Sequence, residues 1–144
     1  MSNLQIIYLG WFWNDWTLVN NGMYSCSYGL KPREDPVEMT ADFSKVSSLD
    51  EDWVTLNQMI KYYKFGFGRV TDYINERIRN GFLNREEGIS ICEQYDGLCS
   101  EEYIKSFCEY IDITVDQFWE QIRKSFNKEL FYLHKDKKIR RKFK

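Results

Sequence analysis

The segment that most constrains the fold of this chain lies at residues 64–69, between two stretches with apolar side chains at helical spacing. It reads Lys64-Phe65-Gly66-Phe67-Gly68-Arg69. Because glycine adopts positive φ angles and allows close backbone approach, the segment predicts a tight turn between two helices. The second helix would present free N–H groups and the positive end of its dipole beside the two basic side chains. This arrangement suits an anion such as phosphate, although a purely structural turn with both phenylalanines in the core explains the same residues.

Helical spacing of apolar residues continues on both sides of this turn and predicts five helices between residues 48 and 126. Capping residues indicate where four of these helices begin. They are the pairs Ser48 and Glu51, Asn84 and Glu87, and Thr114 and Gln117, and the single Ser100. The connections between the helices are short, so we expect successive helices to pack as neighbours.

The N-terminal third of the chain is less regular. Residues 4–9 are apolar and rich in β-branched side chains, which predicts one buried strand. Since a lone strand cannot satisfy its own backbone hydrogen bonds, we expect it to join a sheet that this sequence does not supply. A sixth helix is predicted from Asn14 or Asp15 to about Tyr28, with Gly29 as its C-terminal stop. Residues 30–47 contain both prolines and predict a long loop.

The tryptophans at positions 11, 13 and 16 favour a role as apolar anchors in a core or an interface, with stacking on a sugar or a base as the alternative. The predicted fold class is therefore mainly α. It is a helical lobe of about six helices, with one short N-terminal strand that belongs to a missing α/β nucleotide-binding sheet.

Charge is unevenly distributed along the chain. Residues 135–144 contain seven of the 20 lysines and arginines and only one of the 22 acidic residues, so residues 1–134 have a net charge of −8. An acidic body of this kind disfavours nucleic acid as a partner. The basic C-terminal residues predict a solvated tail, with contact to an anionic surface as the alternative.

Neither a metal site nor a catalytic set can be assembled from the sequence. No two of the four cysteines have C-x-x-C spacing, and His134, the single histidine, lies far from them in sequence. We therefore predict reduced thiols, no metal site and no catalytic residues in this chain. No apolar stretch approaches the ~20 residues of a membrane span, and the N-terminus lacks the pattern of a secretory signal, so the predicted location is cytoplasmic.

Several segments, in their order along the chain, resemble the C-terminal part of the N-acetyl sugar amidotransferases. These are ATP-using enzymes of bacterial surface-glycan biosynthesis, in lipopolysaccharide and flagellin-sugar pathways. The central segments are residues 48–63, 64–73, 78–81, 85–87 and 94–97, and residues 7–10 and 118–120 fit as well. The resemblance covers roughly residues 4–132.

The resemblance implies a reaction and a set of partners. In the whole enzyme, ATP would activate an acetamido oxygen of a nucleotide-linked sugar by adenylation, and ammonia would then displace it to give an acetamidino group. A glutaminase and a barrel-like subunit would supply the ammonia. The resemblance also implies that Lys64, Gly66, Gly68, Arg69 and Asp72 bind the nucleotide-sugar substrate. For the last two residues the alternative is a surface ion pair between Arg69 and Asp72.

The sequence also departs from the family. It contains no Gly-Gly pair, and hence no Ser-Gly-Gly-x-Asp-Ser loop of the ATP-pyrophosphatase type, and it lacks the N-terminal cysteine pairs of the family. Where other branches have a His-Asp pair, this chain has Asp52-Trp53. We therefore expect the C-terminal portion of such an enzyme, inactive alone, with no cofactor of its own and with ATP bound by a missing domain or subunit.

Three segments are expected on this basis. Residues 1–47 would be a remnant of the α/β domain, residues 48–132 a helical domain, and residues 133–144 a basic tail. The alternative function, from a different class, is a small helical protein-interaction module without catalytic activity.

Overall fold

The computed structural model describes residues 4–13 and 16–142, except for the side chain of Trp11. In these residues the chain forms seven α-helices, a short 3-10 helix at Leu9–Phe12 and one antiparallel pair of strands. The α-helices are α1 (Leu18–Ser27), α2 (Val37–Thr40), α3 (Trp53–Phe65), α4 (Arg69–Arg79), α5 (Arg85–Tyr95), α6 (Glu101–Tyr110) and α7 (Val115–Ser125), and the strands are β1 (Phe131–Leu133) and β2 (Ile139–Arg141). The predicted mainly helical fold is confirmed.

Most predicted helix boundaries agree with the structure because the capping residues form the expected hydrogen bonds. Capping boxes begin α5 at Asn84 and α7 at Thr114, and the Ser100 hydroxyl accepts the N–H of Tyr103 at the start of α6. The predicted box of Ser48 and Glu51 is wrong. Helix α3 begins at Trp53, and the Glu51 carboxylate instead accepts the N–H of that residue at 2.8 Å.

The first layer of the core lies between α3, α6 and α7. Its buried residues are Leu56, Met59, Ile104, Cys108, Phe118 and Ile122. The apolar face predicted for α3 is the face that enters this cluster, since Ile60 and Tyr63 pack against it. Removing such side chains from water is the main stabilising contribution in a domain of this size.

A second layer joins α4 and α5, the two helices with the most extensive mutual contact. Val70 and Ile74 of α4 are buried there together with Ala41 from the end of α2. Gly88 of α5 lies so close to α4 that an added Cβ would be 2.7 Å from Ile74 and 2.8 Å from Ile78. This close packing fixes the position of α4, and therefore of the turn that precedes it.

The C-terminal residues differ from the predicted solvated tail. Strands β1 and β2 pair as a hairpin, with Phe131 opposite Arg141 and Leu133 opposite Ile139. Phe131 is almost completely buried and packs with Tyr62 and Phe126. The solvated tail was predicted from the charges of this segment. That prediction missed the apolar residues Phe131 and Ile139, which anchor the hairpin to the helices.

The predicted N-terminal strand is not formed. Residues 4–8 have no strand partner among the described residues, and their side chains are exposed, with Leu4, Ile6, Ile7 and Tyr8 between 67% and 84% accessible. Without a neighbouring strand there is no ladder of hydrogen bonds to define one. The expectation that a sheet elsewhere receives this segment stays a prediction.

Helix α1 also begins later than predicted. It starts at Leu18, after a cap in which the Thr17 hydroxyl accepts the N–H of Asn20, and the predicted capping residues Asn14 and Asp15 lie outside the described residues. Its end agrees with the prediction, since Gly29 follows at φ 102°. No helix in the described part of the chain is long and apolar enough to cross a membrane.

Candidate functional site

The glycine turn connects α3 to α4, and its two glycines have different roles. Gly66 ends α3 in the left-handed conformation, at φ 83°, and its N–H donates to the carbonyl of Tyr62 at 2.8 Å. Gly68 precedes α4 in an extended conformation, at φ −128°. Gly66 is therefore required by its backbone angle. Gly68 does not have a positive φ, so its backbone angles do not by themselves require glycine.

The N-terminus of α4 is already occupied by a carboxylate of the same chain. Asp96 accepts the N–H of Gly68 at 2.9 Å, the N–H of Val70 at 3.2 Å and the hydroxyl of Thr71 at 2.6 Å. An added Cβ on Gly68 would lie 2.6 Å from Asp96 Oδ1, so the lack of a side chain at Gly68 allows this approach. The carboxylate takes the place expected for a bound anion, at the positive end of the helix dipole.

Asp96 is held in this position by the end of α5. It follows the last residue of that helix, and Gly97 then turns the chain at φ 84° against the ring of Tyr62. Sequence reasoning missed this contact, because the two partners are 28 residues apart. The only signal was the Asp96-Gly97 pair within residues 94–97, which reads as a turn at a helix end.

The side chain of Arg69 lies on a different face of the turn and is largely buried. Its exposed fraction is 12%, and Nη1 lies 3.4 Å from Oδ2 of Asp42, whose side chain is 3% exposed. Burial lowers the pKa of Arg69, the charge of Asp42 opposes this shift, and the nearby Arg33 adds to it. The alternative of a surface pair between Arg69 and Asp72 is wrong, because Asp72 pairs with Lys61 at 2.7 Å instead.

The loop that supplies Asp42 is held by hydrogen bonds to its own backbone. Oδ1 of Asp42 accepts the N–H of Ser44 at 2.9 Å, its hydroxyl at 2.7 Å and the N–H of Lys45 at 3.3 Å. Arg33, near the start of the same loop, ties its two ends together. Its backbone N–H donates to the carbonyl of Lys45 at 2.7 Å, and its Nη2 donates to the carbonyl of Ser48 at 2.9 Å. The segment predicted to be a long loop therefore contains the short helix α2, and its ordered turns deliver one carboxylate to Arg69.

A cavity of about 260 Å³ opens between this loop, α3 and α4. We call it the Asp42 cavity. Its polar lining consists of Asp42, Ser47, Ser48, Gln58, Arg69, Asp72, Tyr73 and Glu76. Two side-chain oxygen atoms of these residues, Oδ2 of Asp42 and Oε1 of Gln58, are buried away from the cavity and accept no hydrogen bond from any described residue. Buried acceptors without partners are costly, so the fold carries a local cost at Asp42 and Gln58.

The remaining predicted site residues lie at the surface. Lys64 is exposed in the last turn of α3, and Asp72 is exposed in the first turn of α4. The two phenylalanines of the turn are not core residues, since Phe65 is 62% and Phe67 40% exposed. The ring of Phe67 instead contacts Lys61, whose Nζ lies 4.5 Å from the ring centre. That Lys64 and Asp72 bind the substrate stays a prediction.

The cysteines and the histidine are the remaining candidates for nucleophiles or metal ligands. Burial raises the pKa of the thiols of Cys92, Cys99 and Cys108, in the case of Cys99 to about 12, so these thiols are protonated at neutral pH. His134 lies in the hairpin turn beside Asp136. No three histidine, cysteine or acidic side chains in the described part of the chain are grouped as metal ligands.

Comparison with known proteins identifies the family. Residues 38–144 match the model of the C-terminal domain of LPS biosynthesis proteins of the WbpG-like type. The matched region contains the glycine turn, Asp96 and nearly all of the Asp42 cavity, whereas residues 4–28 lie outside it. No curated protein and no solved structure matches the chain. The chain therefore belongs to the WbpG-like family of LPS biosynthesis proteins, through the C-terminal domain of that family.

Proposed function

We propose that this chain is the C-terminal portion of an N-acetyl sugar amidotransferase of lipopolysaccharide biosynthesis. The reaction would convert the acetamido group of a nucleotide-linked sugar into an acetamidino group. ATP would adenylate the acetamido oxygen with release of pyrophosphate. Ammonia would then add to the activated carbon, and the oxygen would leave as part of AMP.

The observation that carries the proposal is the match of residues 38–144 to the C-terminal domain of an LPS biosynthesis family. The structure adds a polar cavity within that region, next to the segment that carries the resemblance to the amidotransferases. A cavity with a few convergent polar groups is the usual form of a small-molecule site.

In this proposal the chain contributes substrate contacts rather than reacting groups. Lys64 would pair with a substrate phosphate from the exposed end of α3, and Arg69 and Asp72 would contact the sugar from the lining of the Asp42 cavity. Gly66 and Gly68 would shape the turn that holds these side chains. Their N–H groups already donate to Tyr62 and Asp96, so a phosphate would rely on side chains there.

In this proposal ATP binds outside this chain. The backbone N–H groups at the start of α4 are the nearest equivalent of a phosphate cradle, and the Asp96 carboxylate occupies them. We therefore propose that a separate domain or subunit binds ATP, and that a glutaminase and a barrel-like subunit deliver ammonia to it. The chain alone would be inactive.

The exposed N-terminal segment supports the existence of such a partner. Large apolar side chains between residues 4 and 16 are exposed, with Phe12 at 82% and Trp16 at 62%. Apolar surface of this extent on one segment is typical of a protein interface. The same observation favours the second candidate, a helical interaction module that binds a partner without taking part in chemistry.

Reconstitution distinguishes the two candidates. The chain is mixed with a family protein that carries the Ser-Gly-Gly-x-Asp-Ser loop, and ATP, ammonium chloride and a nucleotide-linked N-acetyl sugar are added. The products are followed by mass spectrometry. The proposal predicts an acetamidino sugar together with equal amounts of AMP and pyrophosphate, and only when both proteins are present. A stable complex of the two proteins that makes no product would support the interaction module.

Matched variants test the proposed contacts in the same assay. Lys64→Ala should lower activity about 10-fold, because it removes a charge-assisted contact worth roughly 1.5 kcal/mol. Lys124→Ala is the control, since Lys124 also lies in the last turn of a helix but far from the turn in sequence. Equal activity of both variants would exclude Lys64 from the substrate site.

A further inference from the structure

The C-terminal hairpin presents three of its cations on one face. In the register of the two strands, Tyr132 lies opposite Arg140. The pairing continues on both sides, since the carbonyl of Lys138 and the N–H of Lys142 each form a hydrogen bond of 2.9 Å with the opposite arm. Because side chains alternate between the two faces of a strand, Lys138, Arg140 and Lys142 share one face with Tyr132. We call these four residues the basic face.

The opposite face of the hairpin is fixed against the helices. Phe131 is 1% exposed in the cluster with Tyr62 and Phe126, and Ile139 packs against the same cluster. The basic face therefore points away from the body of the protein. Its three cations are exposed, and the ring of Tyr132 is 41% exposed beside them.

The hairpin carries an excess of positive charge. Residues 131–142 contain six lysines and arginines and one acidic residue, Asp136, which gives a net charge of +5. Asp136 already pairs with Arg140 at 2.8 Å and with His134 at 3.0 Å. Lys138 and Lys142 form no ion pair with any described residue. The basic face therefore has charge to offer to an anionic partner outside the chain.

The arrangement of these cations fits an extended anionic surface. From Lys138 to Lys142 they are spread along about 13 Å of strand, whereas the ligands of one small anion converge on a point. Groups of four to eight lysines and arginines are typical of segments that bind anionic lipids. An exposed tyrosine such as Tyr132 is typical of the membrane–water interface. We propose that the basic face docks this chain on an anionic membrane surface.

Nucleic acid fits the same charges less well. Residues 1–134 have a net charge of −8, so a nucleic acid strand that extended beyond the hairpin would meet an acidic body. A planar membrane can contact the hairpin alone, and charges more than about 8 Å away from it are largely screened at physiological salt. The proposal concerns where the chain is held and does not depend on the proposed reaction.

Binding to vesicles tests the proposal. The chain is mixed with vesicles of phosphatidylcholine, or of an equal mixture of phosphatidylcholine and phosphatidylglycerol, and the bound fraction is measured by sedimentation at about 0.15 M salt. We expect at least about 10-fold stronger binding to the anionic vesicles, and weaker binding as salt is raised. The neutral vesicles measure any adhesion through the exposed apolar N-terminal segment, which does not depend on lipid charge. Equal binding to both kinds of vesicle would overturn the proposal.

Two triple variants separate the basic face from the net charge of the chain. The first replaces its three cations with glutamine: Lys138→Gln, Arg140→Gln and Lys142→Gln. The control removes the same charge from exposed cations outside the hairpin: Lys31→Gln, Arg79→Gln and Lys105→Gln. Binding to the anionic vesicles should fall about 100-fold in the first variant and by less than about 3-fold in the control. Equal losses in both variants would overturn the proposal.

A single-stranded oligonucleotide is the competing probe. We expect the chain to bind the oligonucleotide at least about 10-fold more weakly at about 0.15 M salt than at about 0.01 M, and to keep its binding to anionic vesicles at the higher salt. Binding of the oligonucleotide at the higher salt, with none of the anionic vesicles, would overturn the proposal and assign the basic face to nucleic acid. The reconstitution assay contains no membrane, so its result and this one are independent.

Discussion

The two sides of the glycine turn differ in how completely their polar groups are paired. We call the side formed by the N–H groups of Gly68 and Val70 the backbone side, and the side that holds the Arg69 side chain the side-chain side. On the backbone side, Asp96 accepts hydrogen bonds from Gly68, Val70 and Thr71. On the side-chain side, Arg69 forms an ion pair with Oδ2 of Asp42, and neither this oxygen nor Oε1 of Gln58 accepts a hydrogen bond from the described residues. A fully satisfied network stabilises a fold, whereas a buried group without a hydrogen bond lowers its stability. The difference indicates a structural role for the backbone side, and in the function that we propose the side-chain side is the one that faces the ligand.

The largest effect should come from removing the acceptor on the backbone side. Asp96→Ala leaves two N–H groups and a hydroxyl without their partner, and we expect it to lower the free energy of unfolding by about 3 kcal/mol. Urea denaturation measures this change. Asp116→Ala is the control, because Asp116 lies in the exposed first turn of α7. Similar small effects of both substitutions would mean that Asp96 does not hold the turn.

On the side-chain side, Arg69→Ala should destabilise the chain by about 2 kcal/mol, because it leaves the buried Asp42 without its cation. A surface arginine at this position would contribute far less. The three hydrogen bonds to Oδ1 of Asp42 remain and limit the loss. The double variant with Asp42→Asn checks the pairing, since the two effects should be less than additive. If the two losses of stability simply add, Arg69 and Asp42 are not energetically coupled.

Gly68→Ala should have a smaller effect, about 1 kcal/mol. The backbone angles of Gly68 permit alanine, so the cost comes from the contact of the new Cβ with Asp96 at 2.6 Å. The same substitution in the Asp96→Ala background should cost little, because the obstructing carboxylate is gone. Denaturation of the two single variants and the double variant gives this coupling. An equal cost in both backgrounds would place the cause in the backbone rather than in Asp96.

The smallest expected effect has the opposite sign. Gln58→Leu should raise the free energy of unfolding by about 0.5 kcal/mol, because a buried unpaired oxygen is replaced by apolar atoms of similar volume. Thermal unfolding of the variant and of the control Asn57→Leu, at the neighbouring exposed position of α3, measures the difference. A marked loss of stability in Gln58→Leu would show that the oxygen is paired in the native chain.

The sequence predicts the local features of this molecule well. The capping residues at Asn84, Ser100 and Thr114 determine where three helices begin, and Gly66 supplies the left-handed residue that ends α3. These signals depend on neighbours within three or four residues, so no tertiary information is needed. The segment at residues 64–69 was likewise correctly predicted to be a turn between two helices.

The features that the sequence does not reveal depend on residues far apart. The contact of Asp96 with Gly68 spans 28 residues, and the pairing of Arg69 with Asp42 requires the folded loop. Sequence spacing offered Asp72 as an alternative partner of Arg69, because residues three positions apart are neighbours on a helix. The hairpin at the C-terminus was missed for a similar reason. It is anchored by the burial of Phe131, and the charges around this residue do not reveal that contact.

One measurement tests most directly whether the two sides of the turn have these different roles. Inorganic phosphate is titrated into the isotope-labelled chain, and the backbone amide signals of Gly68 and Val70 are followed by NMR. If Asp96 occupies the N-terminus of α4, these signals should remain unchanged up to millimolar phosphate. Saturable shifts of both signals at such concentrations would show that the backbone side is an open anion site, and would contradict the assignment of ligand binding to the side-chain side alone.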